Sequence, residues 1–241
     1  MASVQTTWAQ RLVLHMTDKK TVEYNISQLD SISFLEGTNE EIKEEHEWVD
    51  LGLPSGTLWA TCNVGASSPE EYGDYFAWGE TEPMNDYSWS TYMHCNGTEF
   101  LTRYCLSESY GLVDYKIELK AIDDVATERW GEEWQIPSLK QIQELMNSNY
   151  TTRTITKLKG VTGFKIQGKN NGNYIFLPLK GNTLNPQFAN KIGDYWSRSL
   201  YTDDSKCAYN LELNSVYDQV YTTDRVLRFV GLSVRPVRVK K

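Results

Sequence analysis

The sequence has no long hydrophobic run and no recognisable leader. Its 241 residues contain no stretch of about 18 apolar residues, the length that a helix needs to cross a bilayer. Residues 1–8 have neither the basic nor the apolar region of a secretory signal peptide. We therefore expect no membrane span. The protein either stays inside the cell or is exported by a leader that is not part of this sequence.

Positive charge is also scarce. The formal net charge is -8, from 24 Lys and Arg against 32 Asp and Glu. The one basic cluster is interrupted by Val and Pro, which is typical of a strand followed by a solvated tail; it consists of Arg235, Arg238, Lys240 and Lys241. Because nucleic acid binding needs a basic stripe to neutralise phosphates, we expect no nucleic acid partner.

The four cysteines, Cys62, Cys95, Cys105 and Cys207, lack CxxC pairs and the spacing of a zinc finger. Cys95 and Cys105 lie close together in a polar stretch, where a disulfide would hold a loop. Free thiols are the preferred interpretation, because four cysteines in 241 residues do not make a disulfide-dense protein.

Aromatic residues and glycine, by contrast, are plentiful. The 8 Trp, 15 Tyr and 16 Gly predict a loop-rich fold whose aromatic side chains fill the core and also reach the surface. Residues 1–40 form a separate segment, in which 12–16 and 21–26 predict the strands of a β-hairpin. The acidic run at 40–45 predicts a linker, because like charges repel and hold the chain open. Residues 41–241 are the main domain.

Two helices are predicted in the main domain. The first follows from apolar residues at helical spacing before Gly131, namely Leu119, Ile122, Ala126 and Trp130. The second begins with Ser138 as N-cap and Gln141 three residues later, which is a capping box. Its apolar face consists of Leu139, Ile142, Leu145 and Met146.

Short strands account for most of the remaining order. One is predicted at 58–61, and the others follow the helices at 164–167, 174–177, 195–198, 207–213, 215–221 and 233–239. A strand, two helices and then several strands indicate an α+β domain rather than alternating βαβ units.

Several sequence blocks resemble, in the same order, the Fibrobacter succinogenes major paralogous domain family. They are DLGLPSGTLWATCNVGA at 50–66, EYGDYFAWGET at 71–81, LTRYC at 101–105, DDVA at 123–126, WGEEWQIP at 130–137, IFLP at 175–178, YWS at 195–197 and GLSVRPV at 231–237. The resemblance covers about residues 48–238. It implies a C-type-lectin-like fold of the sulfatase-modifying-factor type, in which the first and last strands pair, two helices flank a twisted, mostly antiparallel sheet, and long loops gather on one side.

The resemblance also bears on location. The N-terminal hairpin is similar to segments that precede such domains in exported Bacteroidetes proteins. It therefore implies a surface protein of the cell envelope or the extracellular space, although no leader is visible.

The chemistry of the fold's enzymes is not matched. Sulfatase-modifying enzymes act through cysteine thiols late in the domain, and here only Cys207 lies late, in an alternating run typical of a strand. No histidine is near it to lower its pKa. Iron-dependent relatives use paired histidines with a carboxylate, whereas His15, His46 and His94 lie in three separate segments. We therefore predict no catalytic residue, no metal site and no enzymatic activity.

Two acidic stretches are weaker candidates for calcium, which requires several oxygen ligands. They are 82–86 and Asp203-Asp204, and a solvated turn is the preferred interpretation of each. No cofactor is predicted. Asp123 and Asp124 cannot flank one bond, because adjacent helical positions point about 100° apart. For Asp124 a buried hydrogen-bond acceptor and a surface charge are both open.

The aromatic residues divide into two predicted groups. Those within the family-like blocks are expected in the core: Trp59, Trp78, Trp130, Trp134 and Trp196. Those in the loop-rich stretch and near the late loops are candidates for ligand binding, although loop packing is an alternative for each: Trp89, Tyr92, Tyr110, Tyr201, Tyr217 and Tyr221.

These observations favour a non-catalytic surface module that recognises a glycan or an extracellular protein. One alternative is a structural, adhesin-like domain that docks through the edge of the N-terminal hairpin. A second is an enzyme that uses the cleft of the sulfatase-modifying factor. The sequence leaves the oligomeric state open.

Overall fold

The computed structural model describes residues 11–15, 20–25 and 46–239. The chain divides into two compact units, Met1–Ile42 and Lys43–Lys241, so the division falls two residues beyond the predicted end of the first segment. In the first unit, β1 (Arg11–His15) and β2 (Thr21–Asn25) pair antiparallel, with Arg11 opposite Asn25. The hairpin predicted there is confirmed. The predicted linker at 40–45 lies outside the described residues.

The second unit is an α+β domain with three antiparallel three-stranded sheets among its described residues. The strands are β3 (Trp48–Asp50), β4 (Thr57–Ala60), β5 (Thr151–Leu158), β6 (Val161–Gly168), β7 (Tyr174–Pro178), β8 (Ile192–Leu200), β9 (Cys207–Asn214), β10 (Gln219–Leu227) and β11 (Val237–Val239). The sheet orders are β11-β4-β3, β5-β6-β7 and β10-β9-β8. The helices are α1 (Val125–Trp130) and α2 (Leu139–Leu145), with 3-10 turns at Ala121–Asp123 and Pro186–Phe188.

The first sheet joins the two ends of the domain. Trp59 in β4 lies opposite Val49 on one side and Val237 on the other. Arg235, just before β11, is buried and strengthens this closure: its Nη1 donates to the carbonyl oxygen of Ala60 at 3.1 Å, and its Nη2 donates to that of Phe176 at 3.0 Å. A buried guanidinium needs such acceptors, because its loss of hydration is otherwise uncompensated.

The second helix matches its prediction and the first is shorter than predicted. Both hydrogen bonds of the capping box between Ser138 and Gln141 are present, and α2 packs against β8, β9 and β10. The first helix begins only at Val125, because the backbone of Asp124 is extended and breaks the helical conformation. The side chain of Asp124 caps α1. Ile122 therefore lies outside the helix and is 71% exposed, so its predicted place on an apolar helical face is wrong.

Two strands begin later in the structure than predicted. In the segment 215–221, residues 215–218 form a turn in which Asn214 Oδ1 accepts from the backbone of Val216, and β10 starts at Gln219. In the segment 233–239, the strand β11 begins only at Val237. Strands β3 and β5 were not predicted; the sequence of β5, TTRTITKL, is largely polar, and most of its side chains are exposed.

The core contains most of the tryptophans predicted for it. Trp59, Trp78, Trp134 and Trp196 are buried, and the indole nitrogens of Trp78 and Trp196 donate to backbone carbonyl oxygens at 2.8 and 2.7 Å. Trp130 differs from the prediction: it is only half-buried, because it ends α1 at the margin of the core. Among the described residues, no helix has the length and hydrophobicity needed to cross a membrane.

Candidate functional site

Of the aromatic residues predicted to bind a ligand, Tyr92 is excluded by burial. Its side chain is 3% exposed. The hydroxyl donates to the carbonyl oxygen of Trp78 at 2.6 Å and accepts from Arg228 Nε at 2.9 Å. The prediction for Tyr92 is therefore wrong, because both the ring and the hydroxyl are engaged inside the protein.

The other predicted residues contact local neighbours. Trp89 is half-buried with its ring against Phe229, 5.0 Å between centroids, and half-buried Tyr201 packs edge-on against Tyr209 at 5.3 Å. Tyr110 is also half-buried, whereas Tyr217 and Tyr221 are 71% and 45% exposed. Within the described part of the chain, a ring contact joins Trp89 to Tyr92, and none joins any other two of the six candidates.

The thiols do not form a reactive centre. Cys95 and Cys105 are both free, and each donates to a nearby carbonyl oxygen, that of Trp89 at 2.8 Å and that of Ser107 at 3.1 Å. Cys207 is the first residue of β9. Burial raises the pKa of its thiol to about 11, and the nearby Asp204 carboxylate contributes to this rise. A thiol with so high a pKa is a poor nucleophile at neutral pH.

Each histidine belongs to a different segment of the chain. His15 belongs to β1, His46 precedes β3, and His94 is buried with its Nε2 donating to the Gly79 carbonyl oxygen at 2.8 Å. Burial lowers the pKa of His94 to about 4, so it is neutral at pH 7. Over the described ranges, no three His, Cys, Asp or Glu side chains are grouped to hold a metal ion.

The acidic candidates serve local structure. Asp124 is buried and accepts backbone hydrogen bonds from Ala126 and Ile136, both at 3.0 Å. Of the two predicted roles for Asp124, the buried acceptor is therefore the one observed. Asp123 instead accepts from Arg103 Nη1 at 2.7 Å. In the weaker calcium candidates, Glu82 pairs with Arg129 at 2.9 Å, and Asp204 accepts from the backbone of Lys206 at 2.9 Å.

A groove of about 700 Å³ contains a different aromatic cluster, which the sequence interpretation did not identify as a site. We call it the Trp48 groove; its principal lining residues are His46, Trp48, Trp130, Glu133, Trp134 and Arg238. Trp48 is 45% exposed. The groove belongs entirely to the second unit.

Strand pairing brings these residues together. Val49 lies opposite Trp59 and packs partly against the core, so its neighbour Trp48 points to the other side of β3. The 130–134 segment reaches the same place because Gly131 ends α1 with φ 95°, and a bridge between Gln135 and Val237 holds the turn beside β11. Glycine suits this positive φ because it has no Cβ.

The aromatic rings form an ordered surface. The imidazole of His46 stacks on the indole of Trp130, with centroids 3.7 Å apart and planes 13° from parallel. Trp134 meets Trp130 edge-on, with centroids 5.1 Å apart and an interplanar angle of 89°. Such pairs are worth about 0.5–1.5 kcal/mol beyond the area that they bury, so the rings hold one another in position.

A charged pair lies among these rings. The guanidinium of Arg238 lies 5.9 Å from the ring centroid of Trp48 and 5.7 Å from that of Trp134. Its Nη2 is 2.8 Å from Glu133 Oε2, and the side chains are 26% and 44% exposed. The groove therefore offers apolar ring faces together with planar donors and a carboxylate acceptor. Such a combination of apolar lining and a few polar groups is typical of small-molecule sites.

One signal in the sequence could have pointed to this groove, although its tryptophans were predicted for the core. The block WGEEWQIP places two tryptophans around a glycine and two glutamates, which is a polar turn rather than a continuous core segment. The place of Trp48 beside these residues could be inferred only once the pairing of β3 with β4 was known. Comparisons of the chain with protein-family profiles, with curated proteins and with solved structures found no match.

Proposed function

We propose that this protein is a non-catalytic recognition module with a C-type-lectin-like fold, and that it binds a carbohydrate in the Trp48 groove. The resemblance of the sequence blocks supports the fold proposal. So does the pairing of β4, which overlaps the strand predicted at 58–61, with the last strand β11, since the resemblance implies that the first and last strands pair.

The observation that carries the binding proposal is the exposed aromatic surface beside the Arg238–Glu133 pair. The C–H faces of a sugar ring are apolar and pack well on an indole, while its hydroxyls need hydrogen-bond partners. Trp48 supplies an exposed ring beside half-buried Trp130, and the guanidinium and carboxylate supply donors and acceptors at the same place. A purely apolar partner would leave these charged groups without water or hydrogen bonds, which is costly.

Recognition without catalysis is supported by the state of the fold's usual reactive group. The late cysteine, Cys207, has a raised thiol pKa and lies beside the Asp204 carboxylate, whose negative charge disfavours the thiolate. For location we propose the cell envelope or the extracellular space, supported by the family resemblance.

The proposal is tested by glycan-array screening of the full chain, followed by titration calorimetry with the best ligand. We expect Trp48→Ala to lower the affinity at least about tenfold, because an aromatic anchor at the centre of a site carries a large share of the binding energy. The melting temperature should change little, since Trp48 is 45% exposed.

Tyr217→Ala is the matched control, because Tyr217 is a 71% exposed aromatic outside the groove. It should leave the affinity unchanged. Loss of binding in the Tyr217 variant with full binding in the Trp48 variant would overturn the groove as the site and favour the late-loop aromatics. Absence of binding to every glycan on the array would overturn the carbohydrate proposal.

A further inference from the structure

A second depression adjoins the Trp48 groove and shares a wall with it. Its volume is about 480 Å³, and its lining comprises Trp48, Val49, Asp50, Gly172, Asn173 and Tyr174. Trp48 and Val49 line both depressions. Trp48 is thus a ridge with a concave surface on each side.

The second depression has an aromatic surface of its own. Tyr174, the first residue of β7, is 53% exposed. The ammonium of Lys165 lies 4.4 Å from the centroid of its ring. A cation at this distance stabilises the orientation of the ring through its quadrupole. Exposed aromatic rings therefore occur in the groove, on the ridge and in the second depression.

The far wall of the second depression is fixed to the strand that carries Trp48. Asn171 Nδ2 and Asn173 Nδ2 both donate to the Asp50 carbonyl oxygen at 2.8 Å. Gln167 Nε2 donates to the Gly172 carbonyl oxygen at 2.6 Å. The turn at 171–173 is thus held at the end of β3, so the two depressions keep a constant spacing. A rigid pair of subsites lowers the entropy cost of binding a ligand that fills both.

The charges along this surface are of both signs. Arg238 is accompanied by the carboxylates of Glu133 and Glu47 in the groove, and Lys165 lies near the lining that contains Asp50. An anionic polymer would meet three carboxylates and two cations, and like charges in contact are unfavourable. The surface is therefore suited to a neutral ligand.

We propose that the ligand is a neutral, linear oligosaccharide with equatorial linkages, which crosses Trp48 and occupies both depressions. Rings of this type carry axial C–H bonds on both faces, so successive units of an extended chain can stack on the aromatic side chains. The inference rests on the proposed function, since it specifies the ligand class of the same site.

The test is a length series of soluble β-1,4-linked oligomers of glucose, xylose, mannose and N-acetylglucosamine, titrated against the full chain by calorimetry. For the sugar that binds, we expect the hexamer to bind at least about tenfold more tightly than the dimer, because it reaches a further aromatic contact. Anionic, β-1,4-linked oligomannuronate should bind no better than the dimer.

Tyr174→Ala is the decisive variant. It should lower the hexamer affinity and reduce the hexamer-to-dimer ratio about fivefold, whereas Trp130→Ala should weaken both oligomers. Tyr217→Ala is again the control and should change neither.

The outcomes separate the two proposals. Equal affinity for dimer and hexamer, or a hexamer affinity unaffected by Tyr174→Ala, would overturn the extended site and leave carbohydrate binding in the groove. Failure of every oligomer to bind would overturn the extended site, and binding of another glycan on the array would then keep the carbohydrate proposal. Binding that is insensitive to Trp130→Ala would overturn both. Tighter binding of oligomannuronate than of the neutral hexamers would overturn the neutral ligand class.

Discussion

Two arginines of this protein lie against aromatic rings, but in very different surroundings. Arg228 is fully buried, with its guanidinium 4.8, 5.2 and 5.8 Å from the ring centroids of Trp78, Tyr92 and Tyr104. Its Nη1 donates to the carbonyl oxygens of Tyr104 and Ser205, both at 3.1 Å. This cluster, which we call the Arg228 cluster, ties the long loop after β4 and the turn before β9 to the end of β10.

Arg238 has similar neighbours in an open place. Its guanidinium lies near the rings of Trp48 and Trp134, and its partner Glu133 is 44% exposed. The comparison teaches that an arginine among aromatic rings does not by itself mark a binding site. In the Arg228 cluster these groups stabilise the core, whereas in the Trp48 groove they face a space that a ligand can enter.

The largest effect is expected for Arg228→Met. Removal of the guanidinium leaves buried carbonyl oxygens without their donors, and each such group costs about 1–3 kcal/mol. We therefore expect the free energy of unfolding to fall by about 3–5 kcal/mol, measured by urea denaturation. Arg225→Met, at an exposed position of β10, is the control and should change stability by less than about 0.5 kcal/mol. Equal losses in the two variants would contradict the structural role of Arg228.

A smaller, pH-dependent effect is expected at His94, whose ring lies 5.6 Å from that of Tyr92 in the Arg228 cluster. Because burial lowers its pKa to about 4 in the folded state, its contribution to stability is present above its unfolded pKa and is lost as the pH falls towards 4. His94→Gln removes this titration. Between pH 7 and pH 4, the wild type should therefore lose about 1–3 kcal/mol more stability than the variant.

The quantity to measure is the difference in pH-dependent stability between the wild type and His94→Gln, because another group changes the stability in the opposite direction. Burial raises the pKa of Asp194 to about 7, so its contribution to stability is present at low pH and is lost as the pH rises through 7. Asp194 is the same in both proteins and cancels in the difference. Parallel stability curves for wild type and His94→Gln would show that His94 is not held neutral by the fold.

The smallest effect on stability is expected for Arg238→Gln. Its ion pair with Glu133 is partly exposed to solvent, and such pairs contribute about 0–1 kcal/mol. The unfolding free energy should therefore change by no more than about 1 kcal/mol, while calorimetry should show weaker binding of the groove ligand. A loss of several kcal/mol would mean that Arg238 is a core residue of the same kind as Arg228, and the contrast between the two sites would fail.

Much of the fold could be predicted because its signals lie within a few residues of one another. Ser138 and Gln141 are three positions apart, and their reciprocal hydrogen bonds form within one helical turn. The first helix was less predictable, since the side chain of Asp124 also binds the backbone of Ile136, well beyond the helix that it caps. That contact sets the start of α1, and apolar spacing could not reveal it.

The candidate site was less predictable, because the exposure of an aromatic ring depends on distant segments. Tyr92 lies in a loop-rich stretch that suggested an exposed ring, but Arg228, 136 residues further along the chain, covers it. Trp130 lies in a block that suggested the core, yet its ring lines the groove.

By itself, the sequence determined the α+β class, the hairpin and the capping of the second helix, because these depend on near neighbours and on the order of elements. Only the tertiary structure decided which aromatic rings are covered and which line the Trp48 groove. The pairing of β3, β4 and β11 brings Trp48 and Arg238 together from opposite ends of the domain, and the bridge between Gln135 and Val237 adds Trp134. The physical reason is that burial is a property of what the fold places against a side chain, not of the side chain or its neighbours in sequence.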